Sequence, residues 1–546
     1  MAVATGTRRA ALALGKRLVD EGFYAAVCLR AGMLAPPPPQ QLVPIGLALE
    51  RYGMLGGLPA VAAIRHGDHP AVIDERGQLT WRELDDRINT LASAWYAQGL
   101  RAGDGIAVLA RNHRGLLEAV WAGFKLGAKV ILMNTGFSGP QVREVSEREG
   151  VDLLVYDEEY AGTLGDFAPR LGRVRAWTES DHQGEDSLEA LIAAGVPTPP
   201  PKPKTGPRLV ILTSGTTGTP KGAGRQVPMS LSPVGGPLSK VPYRVCEPTN
   251  ICAPIFHALG FSQTVIAMSL CSSMVLARRF DPKETLEAWA RHGVTTAVMV
   301  PVMLSRIIEL PDEVWEHKDL SKLRIVFLSG SQLGSGLAQR ASKRLGSVLY
   351  NLYGSTEVAY ATIATPEDLA AAPNTVGRVV HGATVKILDE DGHEQPRGET
   401  GRVFVANTIQ FEGYTGGGSK QMIDGLMSSG DVGHFDAAGR LFIDGRDDDM
   451  IVSGGENVFP AEVEELLSAH PKVVEAAAIG VDDPEFGQRL KAFVVPAPGE
   501  SVDETKLREY VKTNLANYKV PREIVFMDEL PRNQTGKVLK RELRSQ

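Results

Sequence analysis

The stretch from 213 to 222, TSGTTGTPKG, concentrates residue types that can bind an anion. Glycine lets the backbone approach a ligand closely and turn several N–H groups toward it, the hydroxyls are further donors, and Lys221 adds a positive charge. The apolar residues 209–212 come directly before, which predicts a buried strand running into this loop. A flexible linker has a similar composition, so the loop alone leaves both interpretations open.

Two well-known phosphate loops do not match this spacing. A Walker A loop has four residues between its glycines and then Gly-Lys-Ser/Thr, whereas Gly215 and Gly218 are separated by two residues and Pro220 precedes Lys221. The GxGxxG fingerprint of dinucleotide-binding proteins is also absent from the stretch. The role of the loop therefore depends on the rest of the chain.

Four further stretches carry side chains that can do chemistry. NLYGSTE (351–357) puts an aromatic ring, two hydroxyls and a carboxylate at the end of an apolar strand, and SSGDVG (428–433) places an aspartate in a turn. DGRDDDMIVSGGENVFPAEVEE (444–465) combines an arginine, an acidic cluster and a Gly-Gly turn. PRNQTGKVLKREL (531–543) offers a lysine in a polar loop.

The elements that must position these stretches alternate between helices and strands from about residue 58. Thr80 and Glu83 form a capping box that opens an amphipathic helix, and the apolar runs 295–301 and 323–330 are typical of buried strands. This alternation predicts an α/β fold in which parallel sheets are covered by helices. Short strands and turns follow from about residue 385, and a smaller α/β unit follows Arg446.

Composition excludes several classes of protein. A chain of 546 residues needs at least two domains, and its net charge of −7 does not favour nucleic-acid binding. The four cysteines lack zinc-like spacing, which favours a reducing, cytoplasmic compartment. The sequence has no apolar run of the roughly 18 residues that a membrane-spanning helix needs.

The N-terminal segment allows two interpretations. Leu12, Val19, Phe23 and Val27 can share one helical face, which either packs on the body of the protein or lies on a membrane surface. The proline-rich stretch 35–41 then predicts a stiff connector.

Taken together, in order and spacing, the motifs resemble the adenylate-forming acyl-CoA synthetases, the AMP-dependent synthetases and ligases. The resemblance runs from about residue 60 to the C-terminus, and its most specific parts are the opening loop and 445–464. It implies an N-terminal adenylation domain (58–445) of two parallel sheets with a β-rich subdomain, preceded by an extension (1–57). It also implies a small mobile α/β C-terminal domain (446–546).

The resemblance assigns nucleotide and metal binding to individual residues. The nucleotide-binding residues would be Thr213, Ser214, Gly215, Thr216, Thr217, Gly218, Lys221, Gly330, Ser331, Gln332, Tyr353, Gly354, Ser355, Thr356, Asp431 and Arg446. Glu357 would bind Mg²⁺, and Lys537 would be the catalytic lysine that offsets charge at the α-phosphate.

The resemblance also assigns the acyl and thiol sites. His257 and Phe261 would line the acyl pocket, with no acid–base work for the histidine. Asp448 would be the hinge of the C-terminal domain, and Gly454 and Gly455 would form part of the thiol tunnel.

The activity implied is a ligase reaction with ATP, Mg²⁺ and coenzyme A. A carboxylic acid would be converted to acyl-AMP and then to acyl-CoA, and the apolar stretch 260–270 favours a medium- or long-chain fatty acid. An aryl-acid CoA ligase and a fatty-acyl-AMP ligase that loads a carrier protein are the nearest alternatives. A non-catalytic acyl or nucleotide sensor and a luciferase-like oxygenase are more distant ones.

Overall fold

The computed structural model describes most of the chain. The described residues are 17–179, 186–213, 221–225, 230–411, 413–415, 417–447, 449, 451–453, 456–483, 487–500, 502–515, 519–533 and 536–545. They fall into two compact units, the first within Met1–Met299, Pro311–Val326 and Thr408–Ser419, the second within Val300–Leu310, Phe327–Asn407 and Lys420–Gln546. The boundary predicted at 445/446 lies inside the second unit and stays a prediction.

The helices, in chain order, are α1 (17–30), α2 (Pro39–Gly56), α3 (Leu58–His66), α4 (Trp81–Ala97), α5 (Arg114–Lys125), α6 (Gly139–Glu149), α7 (Ala161–Leu164), α8 (Leu188–Ala194), α9 (Ser232–Leu238), α10 (Ala258–Ser269), α11 (Pro282–His292), α12 (Pro301–Ile308), α13 (Asp312–Trp315), α14 (Ser335–Leu345), α15 (Pro366–Ala371), α16 (Pro460–Ser468), α17 (Glu504–Asn514) and α18 (Lys540–Leu543).

The strands are β1 (Pro70–Asp74), β2 (Gly77–Thr80), β3 (Gly105–Leu109), β4 (Lys129–Leu132), β5 (Val151–Asp157), β6 (Arg173–Trp177), β7 (Arg208–Thr213), β8 (Lys221–Arg225), β9 (Thr249–Ile251), β10 (Met274–Val275), β11 (Thr296–Met299), β12 (Ile325–Leu328), β13 (Leu349–Ser355), β14 (Ala359–Ala364), β15 (Arg378–Val379), β16 (Thr384–Leu388), β17 (Gly401–Ala406), β18 (Met422–Ile423), β19 (Leu426–Phe435), β20 (Leu441–Arg446), β21 (Ile451–Ser453), β22 (Glu456–Val458), β23 (Val473–Asp483), β24 (Gly487–Pro496) and β25 (Glu523–Phe526).

The first unit contains two largely parallel arrangements of strands. One sheet has the order β6-β5-β3-β4-β7-β8, in which only the terminal pair β7–β8 is antiparallel. In the other, β11, β9, β10 and β1 are parallel neighbours and β2 pairs antiparallel with β1. Trp81, Trp95 and Trp121 are fully buried in its core. The strand predicted at 209–212 is confirmed as part of β7.

The second unit is richer in antiparallel strands. β13, β14 and β15 are antiparallel neighbours, and β16-β17-β19-β18 form a second antiparallel sheet to which β20 adds through β19. The C-terminal sheet has the order β22-β21-β24-β23, and β25 pairs parallel with β24. The predicted fold class, α/β with parallel sheets, a β-rich region and a small C-terminal domain, is confirmed.

Two local predictions can be compared directly. The capping box is confirmed, because the Thr80 hydroxyl accepts from the Glu83 amide and the Glu83 carboxylate accepts from the Thr80 amide at 2.8 Å. The prediction that the four apolar side chains near the N-terminus share one face, covered or exposed together, is wrong for the described residues. Val27 is buried, whereas Val19 and Phe23 are exposed. The buried face of this helix runs through Tyr24, Val27, Cys28 and Ala31, and Val19 and Phe23 lie outside that face. Leu12 lies outside the described residues.

Candidate active site

Three predicted nucleotide-binding residues converge in the second unit. Asp431 on β19 stands directly opposite Arg446 on β20, and its Oδ1 accepts a hydrogen bond from Arg446 Nη1 at 3.2 Å. The hydroxyl of Tyr353, from β13, donates to the other oxygen, Oδ2, at 2.6 Å. Sheet register therefore places the carboxylate between a cation and a phenol, and each oxygen keeps a lone pair for a ligand hydroxyl. Their contact with a nucleotide stays a prediction.

The protonation of Tyr353 is set by its surroundings. Burial raises the pKa of Tyr353 well above its usual value, and the charge of Asp431 and the hydrogen bond to it raise it further. The phenol therefore stays a donor at neutral pH and holds the carboxylate in one orientation.

Glu357 stands at the tip of the hairpin that joins β13 to β14. Its Oε2 accepts a hydrogen bond from the Ser355 hydroxyl at 2.9 Å, and the same hydroxyl oxygen accepts from the Glu357 and Val358 amides at 3.2 Å. These bonds fix the turn that presents Glu357 and Thr356. Gly354 is required just before it, because a Cβ there would lie 1.9 Å from the Ala359 carbonyl oxygen.

The loop after β12 is joined to the C-terminal helix α16. Gln332 Nε2 donates to Glu465 Oε2 at 3.0 Å, and the Ser335 amide donates to Glu465 Oε1 at 2.9 Å. Sequence reasoning missed Glu465, although it closes the 444–465 motif. Gly330 has φ of +96°, which favours glycine in this loop. Ser331 lies between Gly330 and Gln332 in this loop.

Lys537 follows a tight turn that packs near the loop after β12. Its amide donates to Asn533 Oδ1 at 2.9 Å, and its side chain is exposed. A Cβ on the neighbouring Gly536 would lie 3.2 Å from Val300, which would also lie 3.3 Å from a Cβ on Gly330. The turn that carries Lys537 and the predicted nucleotide loop therefore both pack on Val300, and the role of Lys537 in adenylation stays a prediction.

The opening loop is only partly described. Lys221 begins β8 and pairs in register with Thr213 on β7, and its ammonium lies 5.1 Å from the centre of the Tyr414 ring. Tyr414 was not predicted. The predicted phosphate-binding residues between these strands, Ser214, Gly215, Thr216, Thr217 and Gly218, lie outside the described residues, as do Asp448, Gly454 and Gly455 of the predicted hinge and thiol tunnel.

The two predicted acyl-pocket residues lie at the start of α10 in the first unit. Phe261 is buried, with its ring stacked on Trp121 at 6.0 Å and edge-on to Phe124 at 6.3 Å. His257 packs on Phe256, and its Nε2 is shielded from solvent without a hydrogen-bond partner in the described part of the chain. Burial lowers the pKa of His257 to about 4, so the imidazole is neutral at physiological pH. Their role as a pocket wall stays a prediction.

This shift predicts a pH-dependent stability. The unfolded histidine takes up a proton near pH 6.5 and the folded one only near 4, so acid favours unfolding between these values. The contribution is fully present above pH 6.5 and is lost as pH falls toward 4. We expect thermal melts of His257→Gln to show a smaller loss of stability between pH 7 and pH 5 than the parent. The exposed His393→Gln should behave like the parent; equal acid sensitivity of His257→Gln would contradict the shift.

The chemistry of Glu357 fits a magnesium ion held mainly by substrate phosphates. Mg²⁺ takes oxygen ligands and commonly uses one or two carboxylates together with phosphates and water. Within the described ranges no group of three or more His, Cys, Asp or Glu side chains could hold a metal by itself. Glu357 presents one carboxylate at a hairpin tip, and its role as a magnesium ligand stays a prediction.

We expect Glu357→Gln to raise the Mg²⁺ concentration needed for acyl-AMP formation by about tenfold or more, since even outer-shell changes cost about 10–100-fold in metal affinity. The amide keeps the shape of the turn and loses the charge. Pyrophosphate release titrated with Mg²⁺ measures the effect, and the exposed Glu367→Gln is the matched control. An unchanged Mg²⁺ requirement would reject this role for Glu357.

Comparison with known proteins identifies the class. The AMP-binding enzyme family matches residues 60–415, and the AMP-binding enzyme C-terminal domain matches 462–537. Indoleacetate–CoA ligase of Aromatoleum aromaticum is 32% identical over 476 residues, covering 85% of this chain and 92% of that protein. Feruloyl-CoA synthase of an Amycolatopsis species is 33% identical, covering 89% of this chain and 96% of that protein. Fatty acid–[acyl-carrier-protein] ligase ScoC of Streptomyces coeruleorubidus is 30% identical, with 88% and 94% covered.

Solved structures agree with this assignment. Amide bond synthetase McbA from Marinactinospora thermotolerans is 26% identical with a TM-score of 0.79, covering 90% of this chain and 99% of that one. ATP-bound MatB from Rhodopseudomonas palustris is 27% identical with a TM-score of 0.78, covering 90% and 98%. The chain belongs to the AMP-binding enzyme family, the adenylate-forming enzymes. Its class is that of the AMP-forming acid–CoA ligases, which use ATP, Mg²⁺ and coenzyme A.

Proposed function

We propose that this ligase activates a medium- or long-chain fatty acid. The observation that carries the proposal is the character of 254–277, which contains α10 and holds no Asp, Glu, Lys or Arg. Its one titratable ring, His257, is held neutral by burial. An apolar wall of this kind favours the transfer of an apolar tail out of water. It has no charged group that could compensate for the burial of a polar tail.

The N-terminal helices pack against the core that contains α10. α3 packs on α10, and the Trp121 indole, which stacks on Phe261, donates to the Leu55 carbonyl of α2 at 3.1 Å. α2, which precedes the matched family region, is thus joined through Trp121 to the core around α10.

The proposed mechanism divides the work among residues of this chain. Asp431, oriented by Tyr353, accepts from the ribose hydroxyls and sets the position of the α-phosphate. The acid's carboxylate attacks that phosphorus and pyrophosphate leaves. Lys537 offsets the negative charge that develops on the α-phosphate oxygens. Glu357 would hold the magnesium ion, which would supply charge neutralisation on the phosphates. Coenzyme A's thiolate then attacks the acyl carbonyl, and AMP leaves.

An aryl-acid CoA ligase is the second candidate. The relatives named for indoleacetate and ferulate support it, and the aromatic side chains of Trp121, Phe124 and Phe261 are suited to stack on a ring. The Nε2 of His257, which has no hydrogen-bond partner among the described residues, is a polar atom to which a substituted aryl acid can hydrogen-bond and a plain alkyl chain cannot.

A substrate panel separates the two candidates. Acid-dependent pyrophosphate release should be measured with acetate, octanoate, palmitate, indole-3-acetate and ferulate, each with and without coenzyme A. We expect the highest kcat/KM for octanoate or palmitate, with acyl-CoA formed when coenzyme A is present. Higher kcat/KM for the two aromatic acids would replace the proposal with the aryl one. Acyl-AMP that accumulates without conversion by coenzyme A would favour a carrier protein as acceptor.

A further inference from the structure

The exposed apolar side chains of this protein are concentrated near its N-terminus. Among the described residues, twelve large hydrophobic side chains are exposed, and eight of them fall between positions 18 and 47. We call these eight the N-terminal apolar residues: Leu18, Val19, Phe23, Leu29, Leu34, Leu42, Val43 and Leu47. Single exposed apolar residues are ordinary, whereas such a concentration marks an interaction surface.

Seven of these side chains belong to α1 and α2, helices that are already packed on their other side, and Leu34 lies in the link between them. In α1, Tyr24, Val27 and Cys28 are buried, and the Glu21 carboxylate accepts from the Leu231 amide at 3.1 Å. In α2, Tyr52 and Leu55 are buried. The outward faces are therefore a feature of folded, anchored helices and do not arise from a missing core.

The link between the two helices is also anchored. Arg65 on α3 donates to the carbonyls of Gly32 and Ala35, at 3.3 and 3.2 Å, and also to that of Met33. Both outward faces are thereby held on the first unit.

Charge indicates what can cover these faces. Residues 22–49 contain no Asp or Glu, and Arg30 is their only charged residue. The first 49 residues together hold five basic and two acidic side chains, although the whole chain has a net charge of −7. One of those two acids, Glu21, is directed inward onto Ser230 and Leu231. Apolar residues with a basic surplus match a lipid surface that carries negative headgroups.

We propose that the N-terminal apolar residues bind the surface of a bilayer that contains anionic phospholipids. None of the helices in the described chain is both long and apolar enough to cross a bilayer, so the contact is with its interface. Leu42, Val43 and Leu47 insert among the acyl chains, while Arg17 and Arg30 lie at the headgroups. The proposal does not depend on which acid the enzyme uses.

Co-sedimentation of the full chain with vesicles tests the proposal. Vesicles of phosphatidylcholine alone and vesicles mixed with phosphatidylglycerol should be compared. We expect stronger binding to the mixed vesicles, and the substitution V43E/L47E to weaken it by about tenfold or more, because two exposed apolar contacts become charges of the wrong sign. V43Q/L47Q, which removes apolar area without adding charge, should weaken binding less.

Val196→Glu is the matched control, since Val196 is 71% exposed and lies in the first unit outside the N-terminal helices. It should bind vesicles like the parent, and all variants should retain acyl-AMP formation with a water-soluble acid. Equal vesicle binding by V43E/L47E and the parent would overturn the proposal. The proposal would also be overturned if the parent did not bind vesicles but formed a dimer that V43E/L47E dissociates. In that case a second copy of the chain would cover these residues.

Discussion

Replacing Lys537 by alanine is expected to slow acyl-AMP formation by about two orders of magnitude or more, the usual cost of removing a preorganised electrostatic contact. Thioester formation from supplied acyl-AMP should be nearly unchanged, because a carboxylate anion attacks the negatively charged α-phosphate only in the first half-reaction. The turn is held by Asn533 and by Gly536 against Val300 and Val302, so the substitution removes charge without removing the support.

The two half-reactions should be followed separately on one folded preparation. Lys512→Ala, in the last turn of α17, is the control, because it also removes an exposed C-terminal lysine. It should leave both half-reactions unchanged. If Lys537→Ala slowed both half-reactions equally, the lysine would act on binding or on structure and not on adenylation.

Replacing Asp431 by alanine is expected to raise the KM for ATP by about tenfold or more, since hydrogen bonds between a charged group and its partner contribute about 1.5–3 kcal/mol. The same change removes the acceptor of the buried Tyr353 hydroxyl and the ion pair that Asp431 makes with Arg446. A direct ribose contact has a signature that a purely structural loss lacks. The parent should discriminate against 2′-deoxy-ATP, and Asp431→Ala should not.

Tyr353→Phe separates positioning from contact in the same experiment. It removes the bond that orients Asp431 and leaves both carboxylate oxygens in place. We expect a smaller rise in KM and retained discrimination between ATP and 2′-deoxy-ATP. Equal discrimination by the parent and Asp431→Ala would show that this carboxylate does not bind the ribose.

The sequence was sufficient for those parts of the fold that local chemistry determines. The strand at 209–212, the capping box of α4 and the change to short strands near 385 follow from apolar spacing and side-chain capping. The convergence of Tyr353, Asp431 and Arg446 did not follow from spacing. It depends on the register of β19 with β20 and on the place of β13, and the resemblance to a known family supplied it.

Contacts between distant parts of the chain were beyond sequence reasoning. Glu465 reads as one acid of an amphipathic helix, and only the folded chain brings it to Gln332. Tyr414 lies in a glycine-rich stretch without a motif, yet the centre of its ring is 5.1 Å from the Lys221 ammonium. The N-terminal helices show the same limit, since periodicity detects an apolar face but does not determine which residues the body of the protein covers.

The central claim is that a carboxylic acid is activated as an adenylate before any thiol takes part. Exchange of labelled pyrophosphate into ATP, measured without coenzyme A, tests it most directly. We predict exchange that depends on the acid and on Mg²⁺, and release of AMP and acyl-CoA once coenzyme A is added. Exchange that requires coenzyme A, or release of ADP and phosphate in place of AMP and pyrophosphate, would contradict the account.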